Sequence, residues 1–184
     1  MRLFVAVNLS CQLQQIIAEF VKIIAPNATG VKWVNSSQAH LTLFFLGEQP
    51  ISQISRLSPL LRSVADQNRI FFISLGGGGV FPSWTAPRIL WLGVDEGKAA
   101  LTLLANQVTE ACCQTGIPKP GRPFTPHLTL GRVKASSAVV EAKTLTNGVD
   151  GRMLVEEFAL IESKLTPQGP IYREIETYQL RSNP

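Results

Sequence analysis

Residues 39–47 read AHLTLFFLG and residues 126–133 read PHLTLGRV, so the four letters HLTL occur twice. The chain has 2 histidines, His40 and His127, and each of them begins one copy. Both copies are short apolar runs that end near a glycine, a pattern typical of β-strands. Because side chains alternate between the two faces of a strand, the histidine and threonine of each copy share one face and the leucines share the other. We therefore predict two strands whose leucines enter a core and whose histidine and threonine line a cleft.

The order of elements around each motif is also repeated. LFVAV, an amphipathic helix and HLTL occupy residues 3–43, and ILWLGV, a second helix and HLTL occupy residues 89–130. Two β-α-β units of similar length indicate two related lobes. We predict an α+β fold in which residues 1–184 form one bilobal domain, with helices on the outside. A pseudo-twofold axis would bring the two HLTL strands together at a central cleft.

Hydrophobic periodicity and turn residues predict the remaining elements. Ser10 is a suitable N-cap for a helix that ends before Pro26, and Pro59 removes one backbone hydrogen bond from the middle of the next helix. The glycine run at 76–79 lacks the Gly-Lys-Ser/Thr of a phosphate-binding loop, so we interpret it as a bulged strand end or a turn. The predicted helices lie between Ser10 and Pro26 and at 51–67, 97–115 and 136–145, and the other predicted strands lie at 2–8, 31–34, 69–77, 87–94, 153–165 and 171–181.

Composition narrows the class of protein. With 184 residues, 45% of them hydrophobic, the chain can bury one sizeable core. No apolar run is long enough for a membrane helix, and the opening segment lacks a signal-peptide cleavage site, so we expect no membrane association. The 3 cysteines are too few for a disulfide framework and indicate a reducing, cytoplasmic environment. The net charge of +4 favours an anionic ligand, and we expect a monomer because no exposed apolar stripe stands out.

Two imidazoles that face one cleft suit acid–base chemistry at phosphorus. The pKa of a free imidazole is about 6.5, so at neutral pH one can be neutral and the other protonated. The neutral ring can accept a proton from an attacking nucleophile while the protonated ring donates one to a leaving oxygen. The hydroxyls of Thr42 and Thr129 can bond to the non-bridging phosphate oxygens, and Arg132 is a suitable bidentate phosphate ligand. The residues alone do not decide which histidine is the acid.

Other interpretations of the histidines fit less well. A catalytic zinc usually has three protein ligands, and the chain has neither a His-Glu-x-x-His motif nor paired cysteine spacing, so we expect no metal and no cofactor. It also lacks the Gly-x-Ser-x-Gly elbow of serine hydrolases. One histidine in a strand would most simply be a packing residue, but two in matching motifs favour a functional pair. Tyr172 and Trp91 are interpreted as packing residues of their strands.

Four residues near the motifs are candidate substrate contacts. Arg122 and Lys119 lie in the proline-rich loop before the second motif and could steer a polyanion, with a solvated loop charge as the alternative. Phe124 and Trp33 flank the motifs and could stack on a base, with core packing as the alternative. We assign Arg122 and Phe124, together with Arg132, to substrate binding.

The pair of His-x-Thr-x motifs resembles that of the two-histidine phosphoesterases, and more narrowly that of the RNA 2′,3′-cyclic phosphodiesterases, also called 2′-5′ RNA ligases. The resemblance runs nearly from end to end. RPFTPHLTLGRV at 122–133 is the best single match, VKWV at 31–34 and FFLGE at 44–48 flank the first motif, and residues 162–180 resemble the closing hairpin of that family.

This resemblance implies two antiparallel sheets facing a central cleft, and metal-independent hydrolysis of a terminal 2′,3′-cyclic phosphate on RNA to a 2′-phosphate. By position it implies that His40 is the general acid for the 3′-oxygen, that His127 is the general base for water, and that Thr42 and Thr129 bind the phosphate with help from Arg132. The expected partners are RNA ends or cyclic nucleotides. Joining of RNA ends through a 2′-5′ linkage and a non-catalytic nucleotide- or RNA-binding module are the alternatives.

Overall fold

A computed structural model describes residues 1–134, 145, 149–167 and 169–182. Within these residues the chain alternates strands with helices in its first two thirds and ends in strands. The elements are β1 (Arg2–Asn8), α1 (Cys11–Ile24), β2 (Val31–Trp33), β3 (His40–Glu48), α2 (Gln53–Gln67), β4 (Phe71–Phe81), β5 (Ile89–Val94), α3 (Lys98–Cys113), β6 (His127–Val133), β7 (Arg152–Val155), β8 (Glu157–Thr166) and β9 (Gly169–Gln179).

The strands form two sheets, and all of their pairings are antiparallel. The first sheet has the order β3-β1-β8-β9 and the second has the order β2-β6-β5-β4-β7. Each helix turns one apolar side to the core: Leu13 and Ile17 on α1, Leu57 and Leu61 on α2, and Leu101 on α3 are buried. The prediction of an α+β fold with two antiparallel sheets is therefore confirmed.

The two sheets repeat one arrangement. In the first sheet the motif strand β3 pairs with β1, which pairs with β8, and in the second the motif strand β6 pairs with β5, which pairs with β4. The registers match as well, because His40 lies opposite Asn8 at the end of β1 and His127 lies opposite Gly93 near the end of β5. Matching order and register confirm the pseudo-twofold relation that the repeated β-α-β unit predicts.

The lobes differ from the prediction because neither of them is formed by one continuous half of the sequence. Strand β2 comes from the first half of the chain but pairs with β6 in the second sheet, and β8 comes from the end of the chain but pairs with β1 in the first sheet. Each sheet therefore contains strands from both halves of the sequence. One apolar cluster contains buried residues from both sheets and from all three helices, so the described residues share a single main core.

Two predicted strands differ from the observed ones by more than a few residues at their ends. The single strand predicted at 153–165 is two strands in different sheets, since β7 pairs with β4 whereas β8, after Glu156, pairs with β1. The strand predicted at 69–77 continues through the glycine run to Phe81 as β4, with a register shift between Leu75 and Gly78. The predicted helix 136–145 lies outside the described residues except for Leu145, which is helical and buried.

Helix α2 runs without interruption through Pro59. A proline inside a helix removes one backbone hydrogen bond. Leu57 and Leu61, on either side of the proline, are fully buried in the main core, so tertiary packing holds the helix in spite of that loss.

Candidate active site

The two motif strands alternate as their sequences predict. Leu41 and Leu43 in β3, and Leu128 and Leu130 in β6, are buried in the main core. The histidine and threonine of each motif lie on the opposite face and are half-buried. Each strand is therefore held from behind by its leucines and presents an imidazole and a hydroxyl in front.

The fold brings the two motif strands together. Strand β3 is an edge strand of the first sheet, and β6 lies next to the β2 edge of the second sheet. Cα atoms of the two strands approach to within 8 Å. The two imidazole-bearing strands therefore border the same junction between the sheets, although their motifs lie far apart in the sequence.

Both imidazoles are oriented in the same way. His40 Nδ1 lies 2.8 Å from the carbonyl oxygen of Gln38, and His127 Nδ1 lies 2.7 Å from that of Thr125. Because a carbonyl oxygen only accepts, each Nδ1 must carry the proton and donate it. Each Nε2 is then left to accept or to donate a proton in the cleft.

Two aromatic rings enclose His40. The Phe4 ring centroid lies 4.9 Å from that of His40, and the Tyr172 ring meets His40 edge-on at 5.2 Å. Burial lowers the pKa of His40 below its usual value, and the hydrogen bond to the Gln38 carbonyl offsets part of this effect. The neutral form of His40 is thus favoured in the free protein.

A second aromatic pair lies beside His127. Phe81 meets His127 edge-on at 5.2 Å and stacks on Trp91 at 5.0 Å. A Cβ at Gly79 would lie only 2.6 Å from Trp91 Cζ2, so the glycine run leaves room for the indole to lie against β4. The run that the sequence suggests is a bulge therefore also shapes the wall around His127.

Each motif strand has a bulge at the same place. Thr42 pairs with Ala6 and Phe44 with Val5, so Leu43 is the extra residue in β3. Likewise Leu130 is the extra residue in β6. A bulge puts two consecutive residues on one face, and alternation then resumes. In β3 the next residue on the histidine face is Phe45, which pairs with Phe4. In β6 it is Arg132, which pairs with Ile89, and Ile89 in turn pairs with Phe81.

Arg132 is exposed and acts across the cleft. It pairs with Lys32 of β2, so two cationic side chains lie side by side at this edge. Burial raises the pKa of Tyr172, while the positive charges of Arg132 and Arg2 lower it. The positive charge of Arg132 therefore acts on Tyr172, which packs against His40, although Arg132 belongs to the strand that carries His127.

A cavity of about 400 Å³ adjoins His40. Its walls include Tyr172, Gln14 and the side chains of Asn8 and Glu174, which are joined by a hydrogen bond of 2.7 Å from Asn8 Nδ2. The cavity is polar and partly acidic, so it suits neutral polar parts of a ligand better than a phosphate.

The other four predicted substrate contacts lie in different environments. Phe124 and Trp33 are half-buried and pack against the main core. Trp33 also covers Gly131, where a Cβ would lie 3.2 Å from Trp33 Cε3. Arg122 is exposed in its loop, and Lys119 forms a 2.5 Å ion pair with Glu110. Substrate contacts of Phe124 and Arg122 stay predictions.

Five aromatic residues of the cleft escape the sequence reasoning: Phe4, Phe45, Phe81, Trp91 and Tyr172. Strand alternation could have placed Phe4, which lies between the core residues Leu3 and Val5. Strict alternation would put Phe45 on the core face of β3. The bulge at Leu43 turns it to the histidine face instead, so the sequence pattern could not place it. Tyr172 requires knowledge that β9 joins the first sheet.

Metal-binding clusters and membrane-spanning helices are both absent from the described residues. Among them, no three or more histidine, cysteine, aspartate or glutamate side chains lie close enough to hold a metal ion. None of their helices combines the length and the apolar character that crossing a bilayer requires.

The family model and the curated relatives that match this chain belong to one family. A model of the 2′-5′ RNA ligase superfamily matches residues 10–166. The RNA 2′,3′-cyclic phosphodiesterase of Archaeoglobus fulgidus is 36% identical over 181 residues, which cover 97% of this chain and 100% of the relative. The protein of the same name from Thermus thermophilus is 36% identical over 186 residues, which cover 98% of this chain and 91% of the relative.

Solved structures with a similar fold also cover nearly the whole chain. A crystal structure of a Thermus thermophilus protein superposes with a TM-score of 0.85 at 32% identity and covers 99% of both chains. Escherichia coli LigT complexed with 3′-AMP superposes with a TM-score of 0.80 at 26% identity and covers 97% of both chains. The chain belongs to the 2′-5′ RNA ligase superfamily of two-histidine phosphoesterases, in the branch whose curated members are named RNA 2′,3′-cyclic phosphodiesterases.

Proposed function

We propose that this protein hydrolyses the terminal 2′,3′-cyclic phosphate of RNA to a 2′-phosphate, without a metal ion. The observation that carries the proposal is the pair of imidazoles on two motif strands whose Cα atoms approach to within 8 Å. Each is held through Nδ1 by the carbonyl two residues before it, so each presents Nε2 for proton transfer. Two such groups can supply both the acid and the base that an in-line displacement needs.

The reaction balances with these two groups alone. His127 accepts a proton from water as the water oxygen bonds to phosphorus. The bond between phosphorus and O3′ breaks on the opposite side, and His40 donates a proton to O3′. The products are a 2′-phosphate and a free 3′-hydroxyl, and a proton then moves from His127 to His40 through solvent to restore the starting state.

The threonines and the arginine stabilise the charge that builds on phosphorus. Thr42 and Thr129 lie two residues after the histidines on the same strand faces, which suits hydrogen bonds to the non-bridging oxygens. Arg132 adds a positive charge on the same face. Donors fixed in position before the reaction stabilise a developing anion without further reorganisation.

The lowered pKa of His40 is compatible with its role as the acid. Burial disfavours the charged ring in the free protein, but a bound phosphate places a negative charge beside it and raises its pKa again. A ring that is a stronger acid than free imidazole also gives up its proton more readily to O3′. We propose this assignment on the family resemblance together with the burial of His40.

The relatives support both the substrate class and the fold of the site. Curated relatives at 31–37% identity carry the name RNA 2′,3′-cyclic phosphodiesterase. Solved LigT structures include complexes with 3′-AMP and with NADP⁺, so the cleft of that protein accepts nucleotides. For this chain we propose RNA ends or small cyclic nucleotides as substrates, a monomeric state and a cytoplasmic location.

Turnover in the presence of excess chelator tests the metal-independent reaction. The purified protein should convert adenosine 2′,3′-cyclic phosphate to adenosine monophosphate in EDTA at the same rate as in untreated buffer, measured by chromatography. Loss of turnover in EDTA that zinc restores would contradict the proposal. Tight binding of the nucleotide with no turnover in any buffer would favour the non-catalytic module.

A further inference from the structure

Arg2 lies on the histidine face of the first sheet, which is the face that carries His40. It begins β1, and Asn8 at the other end of that strand pairs with His40. Side chains alternate along a strand, so Arg2, Phe4 and Asn8 share this face. The intervening residues on the opposite face are buried in the main core: Leu3, Val5 and Val7. Arg2 itself is exposed, and no ion pair or side-chain hydrogen bond joins it to another described residue.

The other end of this face is acidic. Glu174 on β9 pairs with Ile161, which pairs with Phe4, so Glu174 lies on the histidine face. Glu174 and Glu157 both line the cavity beside His40. Neither carboxylate forms an ion pair with another described residue. The negative potential at this end therefore repels an RNA strand.

Arg2 is the one lysine or arginine among the described strand residues of this face. Arg173 and Lys164 belong to the same sheet but lie on its other face, because Arg173 pairs with Glu162 and Glu162 lies opposite the core residue Leu3. Glu48 pairs with Arg2 across the strands, but its carboxylate lies 3.4 Å from the amino group of Met1. The guanidinium of Arg2 is therefore available to an anion.

The register of the strands puts Arg2 beside the residues that enclose His40. Leu3 pairs with Glu162 on β8, so the next position brings Arg2 beside Ser163, which pairs with Tyr172 on β9. Burial raises the pKa of Tyr172, and the positive charges of Arg132 and Arg2 lower it, in agreement with this register. Phe4, whose ring contacts His40, is two residues from Arg2, which is roughly 7 Å at about 3.3 Å per residue. Arg2 therefore lies just beyond the site of the proposed reaction.

We propose that Arg2 binds the phosphodiester on the 5′ side of the terminal nucleotide, so that the RNA chain leaves the cleft along the Arg2 end of β1. This inference rests on the proposed function and names its preferred substrate, an RNA end rather than a mononucleotide.

The chemistry of the substrate fits this assignment. A 2′,3′-cyclic phosphate occupies both O2′ and O3′, so the chain can continue only from O5′. The phosphodiester at O5′ carries one negative charge that a nucleoside 2′,3′-cyclic phosphate lacks. A guanidinium can donate two parallel hydrogen bonds to such a group. The acidic end of the face disfavours the opposite path, because Glu157 and Glu174 would meet the same charge.

Removal of the charge from either partner tests the proposal. The substrate is a dinucleotide in which 2′-deoxyadenosine precedes adenosine 2′,3′-cyclic phosphate, joined by a phosphodiester or by an uncharged methylphosphonate. For the unaltered protein, kcat/KM measured by chromatography should be about tenfold higher for the phosphodiester. In Arg2→Gln the two dinucleotides should react at the same rate, whereas kcat/KM for adenosine 2′,3′-cyclic phosphate should be unchanged. Arg2→Lys should restore part of the preference, because it keeps the charge.

Two outcomes would overturn the inference. Equal kcat/KM of the unaltered protein for the two linkages would show that the phosphodiester charge is not bound, and this result needs no variant to fold. A preference that persists in Arg2→Gln would show that another group binds it. Arg56→Gln removes the same charge from the exposed side of α2 and should keep the tenfold preference. Failure of the unaltered protein to turn over any of the three substrates would instead refute the proposed function itself.

Discussion

His40 and His127 are matched in their hydrogen bonds and differ in their surroundings. Both donate Nδ1–H to the carbonyl two residues earlier. His40 is the more enclosed of the two, with Phe4 and Tyr172 packed on it. Identical orientation makes either ring able to transfer a proton, and burial lowers the pKa of His40.

Replacing either histidine should abolish efficient turnover. General acid or base catalysis contributes roughly 10²–10⁴ to a rate, so we expect His40→Ala and His127→Ala each to lower kcat by a factor of that order. The assay is hydrolysis of adenosine 2′,3′-cyclic phosphate, with far-UV circular dichroism to verify the fold. Glu19→Gln, on the exposed side of α1, is the control that should keep full activity. Near-normal kcat in either alanine variant would contradict the two-histidine mechanism.

The enclosure of His40 should be visible in the pH profile. Burial lowers its pKa, so one limb of a bell-shaped profile of kcat/KM should lie below about 6.5, the value for free imidazole. Tyr172→Ala would admit water to the ring and should move that limb upward toward the free value. The measurement is kcat/KM against pH for both proteins. A limb that does not move would show that Tyr172 has no part in the burial of His40.

Only part of this residue-level picture follows from the sequence. The period of a strand places histidine and threonine on one face, and the structure has them there. Phe45 and Arg132 share that face only because each motif strand contains a bulge, which HLTL itself does not announce. Tyr172 reaches His40 from a strand near the other end of the chain, and pairing at that separation is not a local signal.

At the scale of elements, the glycine run of β4 leaves space for the indole ring of Trp91. Trp91 lies against Gly79, Phe81 stacks on Trp91, and Phe81 contacts His127. The sequence predicts a bulged strand end or a turn at this run, whereas in the structure the run is a register shift inside β4, which continues to Phe81. The packing of Trp91 into the space left by missing side chains was not predictable, because it depends on which strand lies beside β4.

Filling that space should affect both stability and activity. A Cβ at residue 79 would meet Trp91 Cζ2 at 2.6 Å, so Gly79→Ala forces the rigid indole to move. Overpacking of this kind typically costs about 1–3 kcal/mol, which urea unfolding would measure. We also expect a lower kcat, because Phe81 and His127 lie beyond Trp91. Gly121→Ala is the matched control, since nothing lies within 4 Å of its Cβ and its stability should be unchanged.

At the scale of the whole molecule, the exchange of strands ties the lobes together. Strand β2 leaves the first lobe to pair in the second sheet, and β8 returns from the end of the chain to the first sheet. The sequence predicts two lobes from its repeated unit, but that unit contains no information on which later strands complete each sheet. Sheet membership is decided by long-range pairing and by the shared core.

We propose from this exchange that the chain unfolds as one domain. Leu160 in β8 and Leu92 in β5 are fully buried in different sheets of the same core. Leu160→Ala and Leu92→Ala should each cost about 2–5 kcal/mol and shift a single cooperative urea transition. The transition should coincide when followed by circular dichroism and by tryptophan fluorescence. Two separate transitions, of which each variant shifts only one, would show that the lobes are independent.

The central claim is that the two HLTL strands form one metal-independent site that opens a cyclic phosphate on its 3′ side. Phosphorus NMR of an RNA 2′,3′-cyclic phosphate incubated with the protein in EDTA tests this claim most directly. We predict that the cyclic phosphate signal is replaced by that of a 2′-phosphate, and that His40→Ala and His127→Ala each prevent the conversion. A 3′-phosphate product, or conversion that survives the loss of either histidine, would contradict it.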